Sequence, residues 1–351
     1  MIRLNMYGWN DRLNQLKQES AYNTLSHGRI AIVHRTCYEV ISDSGLYQCE
    51  LTGNMMYGKS DFELPCTGDW VLFQPFDDSK GIIVGMLPRE RTLYRKRNGT
   101  VAGKQAIVSY VDKAFIVQSL DDNFNIRRVE RFMVQILEEN IHPVLILNKA
   151  DLPFDKQETE EAIRHLTRRM PVFFTSIHHP ETVSRLRDSI SEGETVVFVG
   201  SSGVGKSSLV NALCERSVLL TSDISQSTGK GRHTSTRREM VLMDGSGVLI
   251  DTPGIREFGL TVDNPDSLAE MLEISNYAES CRFKDCTHTN EPGCAVLEAV
   301  AEGSLDIKVY ESYLKLKREA WHFSASEHEK RKKEKSFTKL VEEVKRRKAD
   351  S

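Results

Sequence analysis

Residues 200–208 combine glycine, lysine and serine at a spacing that can hold a phosphate chain. The sequence Gly-Ser-Ser-Gly-Val-Gly-Lys-Ser matches the pattern G-x-x-x-x-G-K-S, and the apolar run Thr195–Val199 before it predicts a buried strand. The glycines let backbone N–H groups turn inward around phosphate oxygens, while Lys206 suits the β- and γ-phosphates and Ser207 suits Mg²⁺. The sequence therefore predicts a nucleotide-phosphate loop followed by a helix. Its residues are Gly200, Ser201, Ser202, Gly203, Val204, Gly205, Lys206, Ser207 and Ser208.

A second motif, Asn-Lys-Ala-Asp at residues 148–151, follows the apolar run Val144–Leu147 and indicates guanine as the base. The Asp151 carboxylate can accept hydrogen bonds from guanine N1–H and the 2-amino group, whereas adenine would leave it unpaired. Ser176, just after the run Val172–Thr175, is a candidate for supporting the base, with a plain strand-to-loop junction as the alternative. The predicted base-binding residues are Asn148, Lys149, Ala150, Asp151 and Ser176.

A third motif, Asp-Thr-Pro-Gly at residues 251–254, follows the apolar run Val248–Ile250 and matches D-x-x-G. In that motif Asp251 would hold Mg²⁺ through water and Gly254 would contact the γ-phosphate. Ile255 then occupies the position where Ras-type GTPases have the glutamine that orients the attacking water. Because isoleucine cannot do this, another group must position the water.

The Gly-rich, basic stretch 229–236 lies between the phosphate loop and D-x-x-G, where a first switch is expected. One hydroxyl residue, Thr234 or Thr236, should complete the coordination of Mg²⁺. His233 is a candidate for orienting water or acting as a base, although a structural or RNA-facing histidine fits the sequence equally well. The predicted catalytic residues are Lys206 and His233, and the predicted magnesium ligands are Ser207, Thr234 and Asp251.

Cysteine usage points to a metal site near the C-terminus. Cys281, Cys286, His288 and Cys294 follow the spacing C-x4-C-x-H-x5-C, which supplies the ligands of a closed tetrahedral zinc site. Such a site favours a structural role, with unpaired surface cysteines as the alternative. The remaining cysteines are predicted to be buried thiols: Cys37, Cys49, Cys66 and Cys214.

Alternating β-type and helical segments between residues 106 and 259 predict an open, mostly parallel α/β sheet. The predicted strands are Lys113–Gln118, Pro143–Leu147, Val172–Thr175, Thr195–Val199 and Val248–Asp251, and the predicted helices are Arg127–Glu139, Lys156–Arg168, Pro180–Ser191 and Lys206–Cys214. The guanine motif precedes the phosphate loop, which reverses the conventional order and predicts a circularly permuted GTPase domain over residues 101–262. Because D-x-x-G then leads straight into the C-terminal module, nucleotide state is expected to move that module.

Five short β-rich runs precede this domain: Arg29–Arg35, Tyr38–Ser42, Leu46–Leu51, Asp69–Gln74 and Gly81–Met86. They predict a small closed barrel, with a five-stranded OB-fold preferred and an SH3-like barrel as the alternative. We expect an RNA-binding barrel and a basic linker over residues 26–100, after a polar, partly helical extension over 1–25. The Arg- and Lys-rich stretch Leu87–Lys104 is compatible with a solvated connection or with RNA contact.

The C-terminal region 263–351 is expected to be a helical zinc-binding domain with a basic tail. In the tail, Glu329–Lys348, a solvated helix and an rRNA-contacting segment are both compatible with the charges.

Composition places the chain among ordinary globular proteins of two or three domains, with 351 residues, 39% apolar and 28% charged. The net charge of −3 provides no global attraction to nucleic acid, so any polyanion contact must use local patches. A signal peptide and a transmembrane stretch are both missing from the sequence pattern. We therefore expect a cytoplasmic, monomeric protein without a membrane partner.

The motif combination resembles the ribosome small subunit-dependent GTPase A (RsgA) family over roughly residues 27–320. The resemblance rests on N-K-x-D before G-S-S-G-V-G-K-S, followed by G-K-G-R-H-T, D-T-P-G-I-R-E and the Cys/His cluster. It implies an OB-fold, a permuted GTPase domain and a zinc domain. It also implies GTP hydrolysis to GDP and phosphate in late maturation of the small ribosomal subunit, which stimulates the activity. His233 matches the switch histidine implicated in hydrolysis.

Two positions depart from the family or from the wider GTPase class. Ser235 replaces a threonine usual in the switch, which leaves the Mg²⁺ ligand open. Gly203 stands where potassium-activated GTPases have asparagine, which argues against potassium dependence.

The sequence is also compatible with two other functions: an RNA-binding protein with a vestigial nucleotide site, and a GTP-dependent switch with a non-ribosomal protein partner. The first of these is disfavoured because four motif residues are intact: Lys206, Ser207, Asp251 and Asp151.

Overall fold

The computed structural model describes residues 2–57, 63–96, 104–214, 238–251 and 274–324. For Lys96, Lys104, Asp251 and residues 319–324 only the backbone is described. The chain forms two compact units, Met1–Gly259 and Leu260–Ser351. The predicted tail Glu329–Lys348 lies outside the described residues. In the parts of the chain that are described, every helix is too short or too polar to cross a lipid bilayer.

Five strands between residues 26 and 86 close into a barrel. They are β1 (Ser26–Val33), β2 (Tyr38–Ser42), β3 (Gly45–Leu51), β4 (Trp70–Asp77) and β5 (Lys80–Met86), and a short helix α2 (Gly53–Met56) follows β3. β2 pairs antiparallel with β1 and β3, β3 runs parallel to β5, and β4 pairs antiparallel with β5 and β1. Val40, Cys49 and Phe73 are among the side chains that fill its interior. This closure confirms the predicted five-stranded OB-type barrel.

The N-terminal segment packs onto this barrel. It contains a 3-10 turn (Leu4–Tyr7) and helix α1 (Asp11–Glu19), which begins where the Asn10 side chain accepts a hydrogen bond from a first-turn N–H. Trp9 lies edge-on against Trp70 of β4, with 4.9 Å between ring centroids. The predicted polar extension is therefore an ordered part of the barrel's surroundings.

A buried arginine links the barrel to the parallel strands. Arg29 of β1 donates to the carbonyls of Gly68 and Tyr110 at 3.0 and 3.1 Å, and to Thr195 Oγ1 at 2.8 Å. It also donates to the carbonyl of Tyr7 in the N-terminal turn. Burial lowers the pKa of Arg29 to about 10, so its guanidinium stays charged at neutral pH. Through these four hydrogen bonds, the Arg29 side chain connects β1 to four other segments of the chain.

The segment predicted as a basic linker contains a hairpin. β6 (Leu93–Lys96) pairs antiparallel with β7 (Lys104–Val108), and residues 97–103 lie outside the described part. Leu93, Ile107 and Val108 are buried. The hairpin forms because it buries these apolar side chains. The surrounding arginines and lysines make the two strands hard to recognise in the sequence.

Six further strands form the second part of the sheet. They are β8 (Lys113–Ser119), β9 (His142–Asn148), β10 (Val172–Thr175), β11 (Thr195–Val199), β12 (Glu239–Leu242) and β13 (Val248–Asp251). Their order is β10-β9-β8-β11-β13-β12, and all are parallel except β12, which is antiparallel to β13. β12, which the pattern did not predict, also meets β1 where Glu239 pairs with Ile32, so barrel and parallel strands share one sheet.

Four helices cover the parallel strands: α3 (Ile126–Glu138), α4 (Lys156–Ile163), α5 (Pro180–Asp188) and α6 (Lys206–Leu213). Side-chain oxygens cap the first two, with Asn125 accepting from Arg128 N–H at 3.1 Å and Asp155 accepting from Glu158 N–H at 2.9 Å. α4 stops earlier than predicted because tight turns follow Ile163. The predicted parallel α/β domain is thus confirmed, with the phosphate-loop strand β11 inside the sheet.

The C-terminal unit is helical in its described residues. It contains α7 (Ser275–Ala278), α8 (Ala295–Ala301) and α9 (Ile307–Ser324). Val296, Leu305 and Tyr313 are buried within it. This small apolar core lies beside the predicted metal ligands along the chain.

Candidate nucleotide-binding site and metal centre

The carboxyl ends of the parallel strands bring the predicted nucleotide motifs to one edge of the sheet. Asn148 ends β9, Ser176 follows β10, Gly200 follows β11 and Asp251 ends β13. In an open parallel sheet, ligands bind at this edge. Residues scattered over a hundred positions of sequence therefore converge there because the strands all point the same way.

The phosphate loop takes the backbone course that its glycines permit. Gly200, Gly203 and Gly205 have φ of +147°, +83° and +91°, and a Cβ on Gly200 would lie 2.4 Å from the Val117 carbonyl oxygen. Lys206 Nζ donates to the carbonyls of Gly200 and Ser201 at 2.8 and 2.6 Å. The ammonium therefore lies against the loop, at the N-terminus of α6. Ser207 and Ser208 occupy the first turn of that helix, and Ser202 and Val204 complete the loop.

Asn148 fastens the guanine motif to the phosphate loop. Its Nδ2 donates to the Val204 carbonyl at 2.9 Å, and its Oδ1 accepts from Thr175 Oγ1 at 3.0 Å. A Cβ on Gly205 would lie 2.4 Å from Asn148 Nδ2, so only glycine fits there. Because Asn148 is buried, loss of either bond would leave a polar group without a partner.

Lys149 and Ala150 continue the motif away from the strand. Lys149 adopts a φ of +61°, and its Nζ pairs with Asp121 Oδ2 at 2.9 Å. Partial burial raises the pKa of Asp121, but hydrogen bonds from Ser119 and Lys149 outweigh it, so the net pKa is lowered. The Ala150 N–H donates to the Thr175 carbonyl at 3.0 Å, which ties the motif to β10.

Asp151 and Ser176 meet at the outer end of the cleft. Ser176 Oγ donates to Asp151 Oδ1 and accepts from His178 N–H at 3.1 Å. The hydrogen bond from Ser176 lowers the pKa of Asp151, so the carboxylate stays charged and able to accept hydrogen bonds. The cleft has a volume of about 230 Å³. It is lined by Asn148, Lys149, Asp151, Leu152, Ile177, His178, Gly205 and Ser208.

Several predicted residues cannot be placed at this edge. His233, Thr234, Thr236, Gly254 and Ile255 lie outside the described residues. Asp251 is described only by its backbone, in the register where Val197 of β11 pairs with Ile250. Of the predicted magnesium ligands, Ser207 is thus the one whose side chain is described.

Motif analysis missed a polar loop after β8 that also reaches the phosphate loop. Asn123 Nδ2 lies 3.3 Å from Ser201 Oγ and 3.4 Å from the Ser202 carbonyl, and Arg128 Nη1 lies 3.1 Å from Ser201 Oγ. The sequence carried a usable indication, because Asp121, Asn123 and Arg128 follow the end of a predicted parallel strand. Residues at that position of a parallel sheet face the ligand edge.

The C-terminal unit brings together the four predicted metal ligands. One ligand atom from each of Cys281, Cys286, His288 and Cys294 lies within 4.8 Å of all the others. The sulfurs of Cys281 and Cys294 are 3.8 Å apart, and they lie 3.6 and 3.5 Å from His288 Nδ1. Tetrahedral zinc with ordinary bond lengths needs S–S edges of about 3.8 Å and S–N edges of about 3.6 Å. The donor set therefore fits a metal ion of that geometry.

Local backbone contacts orient these ligands. Cys294 occupies the N-cap position of α8, and N–H groups of Ala295 and Val296 donate to the Cys281 sulfur. Partial burial raises the pKa of Cys281, but these hydrogen bonds outweigh it and lower the net pKa. A thiol with a lowered pKa gives up its proton to a metal more readily.

The prediction of buried thiols is confirmed for two of the four remaining cysteines and is wrong for the other two. Cys49 and Cys66 are buried, while Cys37 and Cys214 are half-buried. Burial raises the pKa of Cys49 to about 12, which keeps this thiol protonated and inert at neutral pH.

Comparison with known sequences identifies relatives over nearly the whole chain. A family model described as RsgA GTPase matches residues 86–261. A Bacteroides thetaiotaomicron protein named small ribosomal subunit biogenesis GTPase RsgA 1 is 74% identical over 347 residues, covering 99% of this chain and 98% of that protein. A Methanosarcina acetivorans protein named small ribosomal subunit biogenesis GTPase RsgA is 41% identical over 317 residues, covering 89% of this chain and 84% of that protein.

Solved structures show the same architecture. YjeQ from Thermotoga maritima matches with a TM-score of 0.64 and 25% identity, covering 84% of this chain and 98% of that one. YloQ, described as a circularly permuted GTPase, matches with a TM-score of 0.62 and 25% identity, covering 87% and 98%. The permuted order predicted from the motifs is thereby confirmed, and so is the resemblance to the RsgA family. With a matching family model and a relative 74% identical over nearly its full length, the chain belongs to the RsgA GTPase family.

Proposed function

We propose that this protein hydrolyses GTP to GDP and phosphate during late maturation of the small ribosomal subunit, and that the subunit stimulates the reaction. The observation that carries the nucleotide assignment is the contact of Asn148 with both Val204 and Thr175, which joins the guanine motif to the phosphate loop. The ribosomal role is supported by the 74% identical relative, which is named as a small ribosomal subunit biogenesis GTPase.

Guanine selection is assigned to the outer end of the cleft. Asp151, held by Ser176, accepts from guanine N1–H and the 2-amino group, and adenine offers no such pair of donors. Asn148, Lys149 and Ala150 shape the loop that carries this carboxylate. Because the carboxylate is ionised at neutral pH, it is ready to accept both hydrogen bonds.

Phosphate binding is assigned to the loop Gly200–Ser208. Its N–H groups and the α6 N-terminus face the phosphates, and Lys206 neutralises charge on the β- and γ-phosphates. Ser207, Asp251 and Thr234 are the proposed magnesium ligands. A bound Mg²⁺ would neutralise developing charge on the phosphate oxygens. We assign Gly254 to the γ-phosphate by its motif.

Water positioning is assigned to His233, because Ile255 cannot replace the missing glutamine. The assignment rests on the family resemblance, since this segment lies outside the described residues. Stimulation by the ribosomal subunit would then act on the water-positioning step that we assign to His233.

The remaining parts of the chain are assigned to binding and structure. We propose that the Cys281, Cys286, His288 and Cys294 cluster holds one structural zinc ion, since four protein donors leave no open position. The barrel is proposed to bind rRNA. We further propose a cytoplasmic monomer without a membrane partner.

The decisive experiment measures GTP hydrolysis by the purified protein with and without isolated small ribosomal subunits. We expect large stimulation by the subunit and loss of turnover in Lys206→Ala. Lys156→Ala, which changes a lysine 74% exposed on α4, serves as the matched control and should retain activity. Equal slow turnover with and without subunits, and no co-sedimentation, would overturn the ribosomal role and favour a switch with a non-ribosomal protein partner.

A further inference from the structure

The start of α3 and the loop before it hold one side of the phosphate loop. Arg128 Nη1 donates to Ser201 Oγ at 3.1 Å and to Asn123 Oδ1 at 3.2 Å. Asn123 Nδ2 in turn donates to Ser201 Oγ at 3.3 Å and to the Ser202 carbonyl at 3.4 Å. Two side chains from a separate element therefore fix two successive residues of the loop.

Asn123 is itself fixed in place. Its backbone N–H donates to Asp121 Oδ1 at 3.0 Å, and Asp121 also accepts from Ser119 Oγ at 2.6 Å and pairs with Lys149. Lys149 belongs to the guanine motif. The loop after β8 thus connects the guanine motif with the phosphate loop, and Arg128 completes that connection on the phosphate side.

Lys206 approaches the same loop residue from its backbone side. Its Nζ donates to the Ser201 carbonyl at 2.6 Å, while Arg128 contacts the Ser201 hydroxyl. The lysine of this motif is the residue that reaches the β- and γ-phosphates. Displacement of Ser201 would therefore move a hydrogen-bond partner of the lysine that acts at the end of the triphosphate.

The charge on Arg128 is not neutralised by a carboxylate in the described ranges. All three of its side-chain hydrogen bonds end on neutral oxygens of Asn123 and Ser201. The neighbouring Lys149, by contrast, is paired with Asp121. A half-buried cation that keeps its charge beside a phosphate loop favours an anion there, and it favours a more highly charged anion more strongly.

We propose that Arg128, oriented by Asn123, is a positioning residue of the GTPase site. Arg128 fixes the position of Ser201, and thereby the position of the loop backbone that contacts Lys206. It also adds a fixed positive charge on the side of the β- and γ-phosphates. The effect is selective for GTP over GDP and greater on turnover than on guanine recognition. The proposal deepens the proposed GTPase function and rests on the assignment of residues 200–208 to the phosphates.

The test compares Arg128→Ala with Arg128→Lys and with Arg185→Ala, which changes an exposed arginine on α5. Equilibrium binding is measured with a non-hydrolysable GTP analogue and with GDP, kcat and KM are measured without subunits, and Tm reports the fold. For Arg128→Ala we expect about tenfold weaker binding of the GTP analogue, less than about threefold for GDP, and a several-fold lower kcat. Arg128→Lys should regain part of the analogue affinity because it restores the charge.

Asn123→Ala provides a second approach that leaves the arginine in place. It should shift the analogue and GDP affinities in the same unequal way, by a smaller factor. If Arg128→Ala unfolds, Arg128→Lys and Asn123→Ala carry the test.

Equal losses for the GTP analogue and GDP, or unchanged affinity and kcat in variants with wild-type Tm, would overturn the proposal and leave Arg128 a purely structural residue. Failure of the proposed function is distinguishable, because the wild-type protein would then fail to bind GDP or would show no stimulation by subunits. If the protein binds GDP but is not stimulated by subunits, the role of Arg128 in intrinsic turnover still stands.

Discussion

The nucleotide edge and the metal cluster hold their functional groups by opposite means. At the nucleotide edge, Asn148 contacts Val204 across 56 residues of sequence and Ser176 contacts Asp151 across 25. The four predicted metal ligands all lie within the segment from Cys281 to Cys294. The residues of the first site are positioned by buried strands of the sheet. The residues of the second site lie in one short segment of chain, described throughout, that contains no sheet to hold them.

The difference determines what each site depends on. Buried strands such as β11 contribute apolar area that stabilises the edge whether or not a ligand binds. In a small module, metal bonds supply much of the folding free energy, because the preformed site does not exist in the unfolded chain. Variants that remove one polar group should therefore have graded effects at the nucleotide edge and an all-or-none effect at the cluster.

The largest expected effect is the loss of a metal ligand. Cys286→Ser should release the zinc ion and destabilise the C-terminal unit by on the order of 10 kcal/mol. Metal analysis and hydrogen exchange of residues 274–324 measure the two effects. GDP binding should persist, since the nucleotide edge has its own buried sheet. Cys37→Ser, which changes a half-buried cysteine of the barrel, should keep both zinc and protection. Full zinc content in Cys286→Ser would refute the ligand set.

An intermediate effect is expected from Asn148→Ala. The substitution removes the donor to the Val204 carbonyl and the acceptor for Thr175, which leaves buried polar groups unpaired at a cost of about 2–3 kcal/mol. GDP and GTP affinity should both fall by about 30-fold to 160-fold, measured by equilibrium binding. Asn14→Ala, on the exposed face of α1, is the control and should bind normally. Unchanged affinity in Asn148→Ala would mean that the two loops hold their positions without this side chain.

The smallest effect is expected from Ser176→Ala, and it depends on pH. The Ser176 hydrogen bond lowers the pKa of Asp151, so removing it should raise that pKa toward the ordinary value of about 4. A lowered pKa in the folded protein keeps the carboxylate charged as the pH falls. The variant should therefore lose GDP affinity at a higher pH than the wild type during acid titration, while at pH 7 the loss should be only a few-fold. Superimposable pH profiles would remove Ser176 from the control of Asp151.

Prediction from sequence succeeded where a motif or a period carried the information. The permuted order of the nucleotide motifs and the grouping of the four Cys/His side chains follow from residue types at fixed spacing. The assignment of these residues to phosphate, guanine and metal stays a prediction. The barrel strands follow from short β-rich runs separated by turn residues, and β2 was predicted with its observed bounds, Tyr38–Ser42. These features are local, so each can be recognised without knowing what lies beside it.

Prediction failed where charged residues masked a buried surface or where pairing was nonlocal. The β6–β7 hairpin lies in an Arg- and Lys-rich stretch. Its buried Leu93 and Val108 are paired in the hairpin, but the sequence between them contains few apolar residues. β12 is short, and its strand character depends on pairing with β13 and β1. In both cases the strand residues, taken with their immediate neighbours in sequence, do not stand out as apolar or β-rich.

By itself, the sequence determined the permuted order of the motifs and which groups we propose to hold phosphate, distinguish guanine and bind a metal. Only the tertiary structure decided that Arg128 and Asn123 support the phosphate loop and that Arg29 fastens the barrel to the strand leading into it. The physical reason is that motif chemistry is encoded in consecutive residues. Support between elements depends on which strand ends become neighbours, and that is settled by the packing of the whole sheet.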